Sequence, residues 1–111
     1  ELHGESFNFG PPSHQTQSVL ELVQQMARHW DQVRWEDVSN DNSGPYESGL
    51  LKLNCDKALY YLEWQAVLGF EETVHLTADW YRAYYEEPES IAAVTEDQIR
   101  QYIRLAKMAF D

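Results

Sequence analysis

Tyr46 and Glu47 are the residues whose type and spacing best suit contact with a ligand. They stand between Gly44-Pro45 and Gly49, turn formers that punctuate a loop, and no apolar period assigns them to a core. A carboxylate such as Glu47 can accept from hydroxyls or an amino group, and the Tyr46 phenol can stack or donate. Asn8 is the third candidate. It is a lone amide between Phe7 and Phe9, in a run that ends at Gly10-Pro11, and strand ends in α/β enzymes commonly present ligand contacts. The same amide could equally hold a neighbouring loop.

A catalyst needs a nucleophile, a base, a metal or a cofactor cradle. The glycines at 4, 10, 44, 49 and 69 are scattered and form neither G-x-G-x-x-G nor a phosphate loop. None of the seven tyrosines has a lysine four residues on, so the pairing that lowers a tyrosine pKa for proton transfer is missing. His3, His14, His29 and His75 show no metal-ligand spacing, and His29 and His75 read as helix residues that face solvent or cap a polar group. Cys55 falls at the first turn of a helix, where the dipole can lower a thiol pKa. Without a nearby histidine it reads as a small buried residue. Glu86-Glu87-Pro88-Glu89 reads as a solvated helix end. Trp80-Tyr81 and Tyr84-Tyr85 could stack a base or a sugar, but their helical spacing favours core packing. Catalytic residues and a metal site are therefore not expected on this chain.

The elements that would position Asn8, Tyr46 and Glu47 follow from periodicity. Phe7 and Phe9 alternate with Asn8 in a strand-like run over 6–10. Ser18 and Glu21 have capping-box spacing, and Val19, Leu20, Val23, Met26, Ala27 and Trp30 form the stripe of a helix to about Trp30. Val33, Trp35 and Asp37 alternate with Arg34, Glu36 and Val38, as in a second strand. The turn formers from Ser39 to Pro45 make a loop. Leu50 to Leu53 is short enough for a buried strand, and Asn54 can cap a helix over about 55–62. Phe70, Val74, Thr77, Tyr81 and Tyr84 share one face of the longest helix, which Pro88 stops. After a connector over 87–93, Thr95 to Gln98 resembles a second capping box. Ile99, Tyr102, Ile103 and Ala106 line the last helix. Three short strands and four helices predict an α/β fold with too few strands for a complete sheet domain.

A chain of 111 residues suggests one domain. The apolar fraction of 43% and aromatic fraction of 14% are those of a globular chain. A formal charge of -11 argues against nucleic acid and against an anionic membrane surface. No run is long and apolar enough to span a membrane. A single cysteine cannot form an internal disulfide, which fits a cytoplasmic setting. The chain opens at Glu1 without an initiator Met and runs soon into a strand-like segment, so the expectation is of an excised fragment.

Several stretches together resemble the CDP-glucose 4,6-dehydratases, sugar-nucleotide enzymes of the extended short-chain dehydrogenase/reductase class. Phe7-Asn8-Phe9-Gly10-Pro11 resembles their Phe-Asn-Phe-Gly-Pro. Pro45-Tyr46-Glu47-Ser48 is similar to their Pro-His-Glu-Ala, and Leu51-Lys52-Leu53-Asn54-Cys55-Asp56-Lys57-Ala58 to their Leu-Lys-Leu-Asp-Cys-Ser-Lys-Ala. Leu62-Glu63-Trp64 is similar to their Leu-Gly-Trp. Thr73-Val74 with Asp79 to Tyr85 resembles their long helix, and Thr95, Gln98-Ile99 and Tyr102 their last one. Tyr46, Gly49, Leu50 and Asn54 depart from the pattern.

The resemblance implies that residues 1–111 are the C-terminal substrate-binding lobe of a longer chain, inactive alone. The dinucleotide-binding domain, its NAD and the catalytic residues would lie upstream. The parent would be a lyase that oxidises a CDP-hexose at C4, eliminates water across C5–C6 and returns the hydride to C6, in deoxysugar and surface-polysaccharide biosynthesis. This part would supply pocket for the nucleotide sugar, with Asn8, Tyr46 and Glu47 as contacts. Its partners would be the upstream domain and the substrate, with a homo-oligomer left open. Two alternatives stand beside this reading. One is a free-standing, non-catalytic interaction module whose aromatic surplus is covered by self-association. The other is the same lobe of a sibling sugar-nucleotide epimerase or reductase.

Overall fold

The computed structural model describes residues 2–36, 38 and 52–110. Four α-helices occur among them, α1 (Val19–His29), α2 (Asp56–Leu62), α3 (Phe70–Glu86) and α4 (Ile91–Phe110), with a 3-10 turn at Pro88–Ser90 before α4. The chain divides into two compact units. One is drawn from residues 1–15 and 34–66, the other from 16–33 and 67–111.

The expected α/β fold is not found: no strand occurs among the described residues. The run 6–10 is non-regular backbone. Alternation does bring Phe7 and Phe9 together, with ring centroids 6.4 Å apart. What is missing is a partner backbone. Side chains take its place: Lys57 Nζ donates to the Ser6 carbonyl at 2.9 Å, and the Cys55 thiol reaches the Gly10 carbonyl at 3.9 Å. A strand is defined by a ladder, and two-residue alternation reports only which way side chains point. Residues 34–36 and 38 are likewise irregular, and so are Lys52 and Leu53. The remainder of those two expected strands lies outside the described residues.

The first unit is built around α2. Asn54 Oδ1 accepts from the Asp56 N–H at 2.8 Å, which satisfies one of the free donors at the helix start. The helix ends at Glu63, which takes a left-handed conformation with φ 55° and ψ 31°. This turn lets the Trp64 N–H reach the Ala58 carbonyl at 3.2 Å. Ala58 is fully buried, and Phe9 meets the Trp64 ring edge-on at 5.0 Å.

In the second unit α1 and α4 both pack on α3. The capping box at the start of α1 forms as its spacing predicts, with Ser18 Oγ accepting from the Glu21 N–H at 3.1 Å. Val23, Met26, Ala27 and Trp30 are half-buried, whereas Val19 and Leu20 are exposed. In α3 the buried side chains are Val74 and Ala78. Tyr81, Tyr84 and Tyr85 remain about half exposed or more. The core expected for these tyrosines is therefore not found among the described residues, because spacing puts rings on one face without supplying anything to cover it. Trp30 stacks on Tyr85 at 5.9 Å, and His29 on His75 at 4.2 Å, so two ring contacts join α1 to α3. His75 also meets Asp79 at 3.1 Å.

The last helix starts earlier than expected. Pro88 opens the 3-10 turn and α4 begins at Ile91, so Thr95 is interior and caps nothing. Its hydroxyl bonds back to the Ile91 carbonyl at 2.8 Å and accepts from Trp80 Nε1 at 2.7 Å, tying α4 to α3. Gln98 adds a second tie, donating to the Leu76 carbonyl at 2.8 Å.

Candidate functional site

The candidate site is a cleft of about 650 Å³ in the first unit, within the size range of small-molecule pockets. Gly10 to His14 form one wall, and Lys52 to Asp56 the other, with Trp64 alongside. The two walls are held by side chains. Lys52 Nζ donates to the Ser13 carbonyl, the Cys55 thiol reaches the Gly10 carbonyl, and Asn8 Nδ2 donates to the Asn54 carbonyl at 3.4 Å. Lys57 completes the frame. It pairs with Glu5 at 3.0 Å and sits 4.9 Å from the centre of the Phe7 ring.

The lining combines an ammonium (Lys52), an imidazole (His14), a carboxylate (Asp56), an amide (Asn54) and a half-buried indole (Trp64). Such a set can hold a polyhydroxylated, phosphorylated ligand. The ammonium, imidazole and amide supply donors to phosphate or hydroxyl oxygens, the carboxylate accepts from hydroxyls, and the indole offers an apolar face. It contains no nucleophile–base pair at hydrogen-bond distance, and no cluster of three or more His, Cys, Asp or Glu side chains able to hold a metal occurs among the described residues.

The three residues singled out from sequence fare differently. Asn8 is exposed and does not line the cleft. Its described contact is the bond to Asn54, so it does hold a neighbouring loop. Tyr46 and Glu47 lie outside the described residues. Lys52, His14 and Trp64 were not singled out beforehand. Lys52 carried a signal only as part of the Leu51-Lys52-Leu53-Asn54 stretch quoted for the resemblance. Trp64 was likewise quoted only within Leu62-Glu63-Trp64, since its position depends on the turn at Glu63.

Comparison with known proteins finds a distant relative. The chain is 32% identical over 81 residues to CDP-glucose 4,6-dehydratase from Salmonella typhimurium (strain LT2). The two are distant relatives. The match takes in 72% of this chain but 22% of that enzyme, so the chain spans about a fifth of its relative's length. No family model matches the chain, and no solved structure matches it. No helix among the described residues is long and apolar enough to cross a membrane.

Proposed function

We propose that this chain is the sugar-nucleotide-binding, C-terminal part of a protein related to the 4,6-dehydratases, with CDP-glucose as the first candidate substrate. The observation that carries this reading is the 32% identity over 81 residues to CDP-glucose 4,6-dehydratase. The cleft supports it, because Gly10-Pro11 and the segment from Lys52 to Asp56, both quoted for the resemblance, are its walls. On this reading Lys52 and His14 face the diphosphate or sugar hydroxyls, Asn54 and Asp56 bind hydroxyls, and Trp64 flanks the base or the ring. Asn8 acts by fixing the wall at Asn54, and Tyr46 and Glu47, which lie outside the described residues, are carried as contacts by the resemblance alone.

The glycines of this chain form no dinucleotide fingerprint. On this reading NAD and the residues that move hydride and protons would belong to an upstream domain of the same polypeptide, and this part would be inactive alone.

Calorimetric titration of CDP, UDP, dTDP and GDP into the polypeptide that joins this chain to its upstream domain tests the proposal. CDP is expected to bind tightest, and Trp64→Ala to weaken it. Equal affinity for all four nucleotides, or no effect of substitutions in the cleft, would overturn the reading. The wide exposure of apolar side chains favours one alternative, a non-catalytic interaction module. That alternative predicts a chain that associates but binds none of the four.

A further inference from the structure

One flank of α4 carries an apolar stripe that is about half exposed and that no other described element covers. Val94, Gln98, Tyr102 and Leu105 form the half-buried inner face of the helix. About a third of a turn away, Ala92, Ile99, Ile103 and Phe110 recur at spacings that keep them on one line. Ile99 is 56% exposed, Ile103 46% and Phe110 54%. A groove of about 500 Å³ lined by Trp80, Tyr81 and Tyr102 shares Ile99 with the stripe.

The stripe is symmetric in a way that identifies its partner. Ile99 and Ile103 lie equally far either side of residue 101, and so do Ala92 and Phe110. Three charged side chains border the outer edge of the stripe, Glu96 towards one end, Arg100 near the middle and Lys107 towards the other end, with Glu96 and Lys107 at nearly equal distances from residue 101. Glu96 is held by Arg100 at 2.8 Å. Among the described residues no carboxylate lies within ion-pair distance of Lys107. An identical helix laid antiparallel across a two-fold axis at residue 101 matches the apolar spacing and the Glu96 and Lys107 positions, and brings together two Arg100 side chains, each already paired with its own Glu96. It sets Ile99 against Ile103 of the partner subunit, the small Ala92 against the bulky Phe110 of the partner subunit, and Glu96 near Lys107 of the partner subunit, each contact occurring twice.

We propose that α4 is the surface through which two copies of this chain pair, antiparallel and isologous. The formal charge of -11 on each copy opposes association, and salt confines that repulsion to about 8 Å at physiological ionic strength. The unlike charges at the seam set its register, while the isoleucines and Phe110 supply the apolar burial. A single helix pair is a small interface, so the pairing is reversible.

Sedimentation equilibrium on the 111-residue chain tests this. The expected result is a mass that rises with concentration from 13.0 kDa toward twice that value. Ile103→Glu, at a half-exposed position, keeps the helical circular dichroism and abolishes the rise. Glu96→Lys and Lys107→Glu each weaken the dimer about tenfold, since two exposed contacts turn repulsive, and the double reversal recovers most of the loss. A monomer at every concentration overturns the proposal and assigns the stripe to another partner. So does a dimer indifferent to Ile103→Glu, or a double reversal no better than either single one.

Discussion

Lys57 shows how much one side chain can replace. Its ammonium bonds the Ser6 carbonyl, pairs with Glu5 and sits near the Phe7 ring, pinning a segment that has no ladder to hold it. The pair with Glu5 is about half exposed, so screening limits its value. Lys57→Met is expected to cost about 1 kcal/mol, read by urea unfolding, with faster amide exchange concentrated over residues 5–10. The two indoles of the second unit make a sharper contrast. Trp80 Nε1 has an acceptor in Thr95, whereas the buried Trp30 Nε1 has none. Replacing each by Phe keeps a ring and removes one N–H. Removing an unsatisfied donor is far less costly than breaking a satisfied pair, so Trp80→Phe is expected to destabilise more than Trp30→Phe by about 1 kcal/mol in parallel denaturations. Neither partner was legible beforehand, because a hydrogen bond between α3 and α4 depends on packing that local spacing does not encode.

The helices were largely legible as elements, for local reasons. The Ser18–Glu21 box acts within a few residues and forms, and Asn54 accepts from the Asp56 N–H although the N-cap itself is Cys55, while the stripe after Ser18 is half-buried only from Val23 on. Ser18→Ala is expected to cost about 1 kcal/mol and to fray α1 from its first turn, visible as lost amide protection at Glu21 and Leu22. The start of α4 was misread because Thr95 to Gln98 has the composition of a box while the preceding turn from Pro88 already carries the chain into a helix. A hydroxyl inside a helix can bond the carbonyl four residues back, and Thr95 does so. The strands failed for a non-local reason. Phe7-Asn8-Phe9 fixes which side chains agree in direction, but whether another backbone lies alongside is a property of the whole fold. In the candidate site, Asn8 lies outside the lining of the cleft and Tyr46 and Glu47 lie outside the described residues. Gly10-Pro11, Lys52 to Asp56 and Trp64 were quoted for the resemblance but not as site residues, because which of them face one cleft depends on the fold.

At the scale of the molecule, the interior is thin. Ala58, Val74 and Ala78 are the buried apolar side chains among the described residues, while Tyr60, Tyr85 and Met108 stand out at 79%, 66% and 79% exposure. A chain with so little interior and a charge of -11 is sensitive to its own repulsion. Raising salt from about 20 mM to about 200 mM is expected to raise the urea midpoint of the isolated chain, and a midpoint that falls or stays fixed would show that charge is not what limits it. The surplus of tyrosine and tryptophan was plain from composition, but composition does not say whether rings fill a core or coat a surface.

The left-handed turn at Glu63 bears on more than the end of α2. A residue with a Cβ held there costs about 1 kcal/mol relative to glycine, and glycine is what the similar Leu-Gly-Trp pattern has in its place. Glu63→Gly should therefore raise the melting temperature. The same change loosens the backbone at the residue before Trp64, which lines the cleft, because glycine has more conformations to lose on folding. Under the nucleotide-binding proposal, a glycine variant is expected to melt later yet bind a nucleotide more weakly, read by melting curves and calorimetry on the same samples.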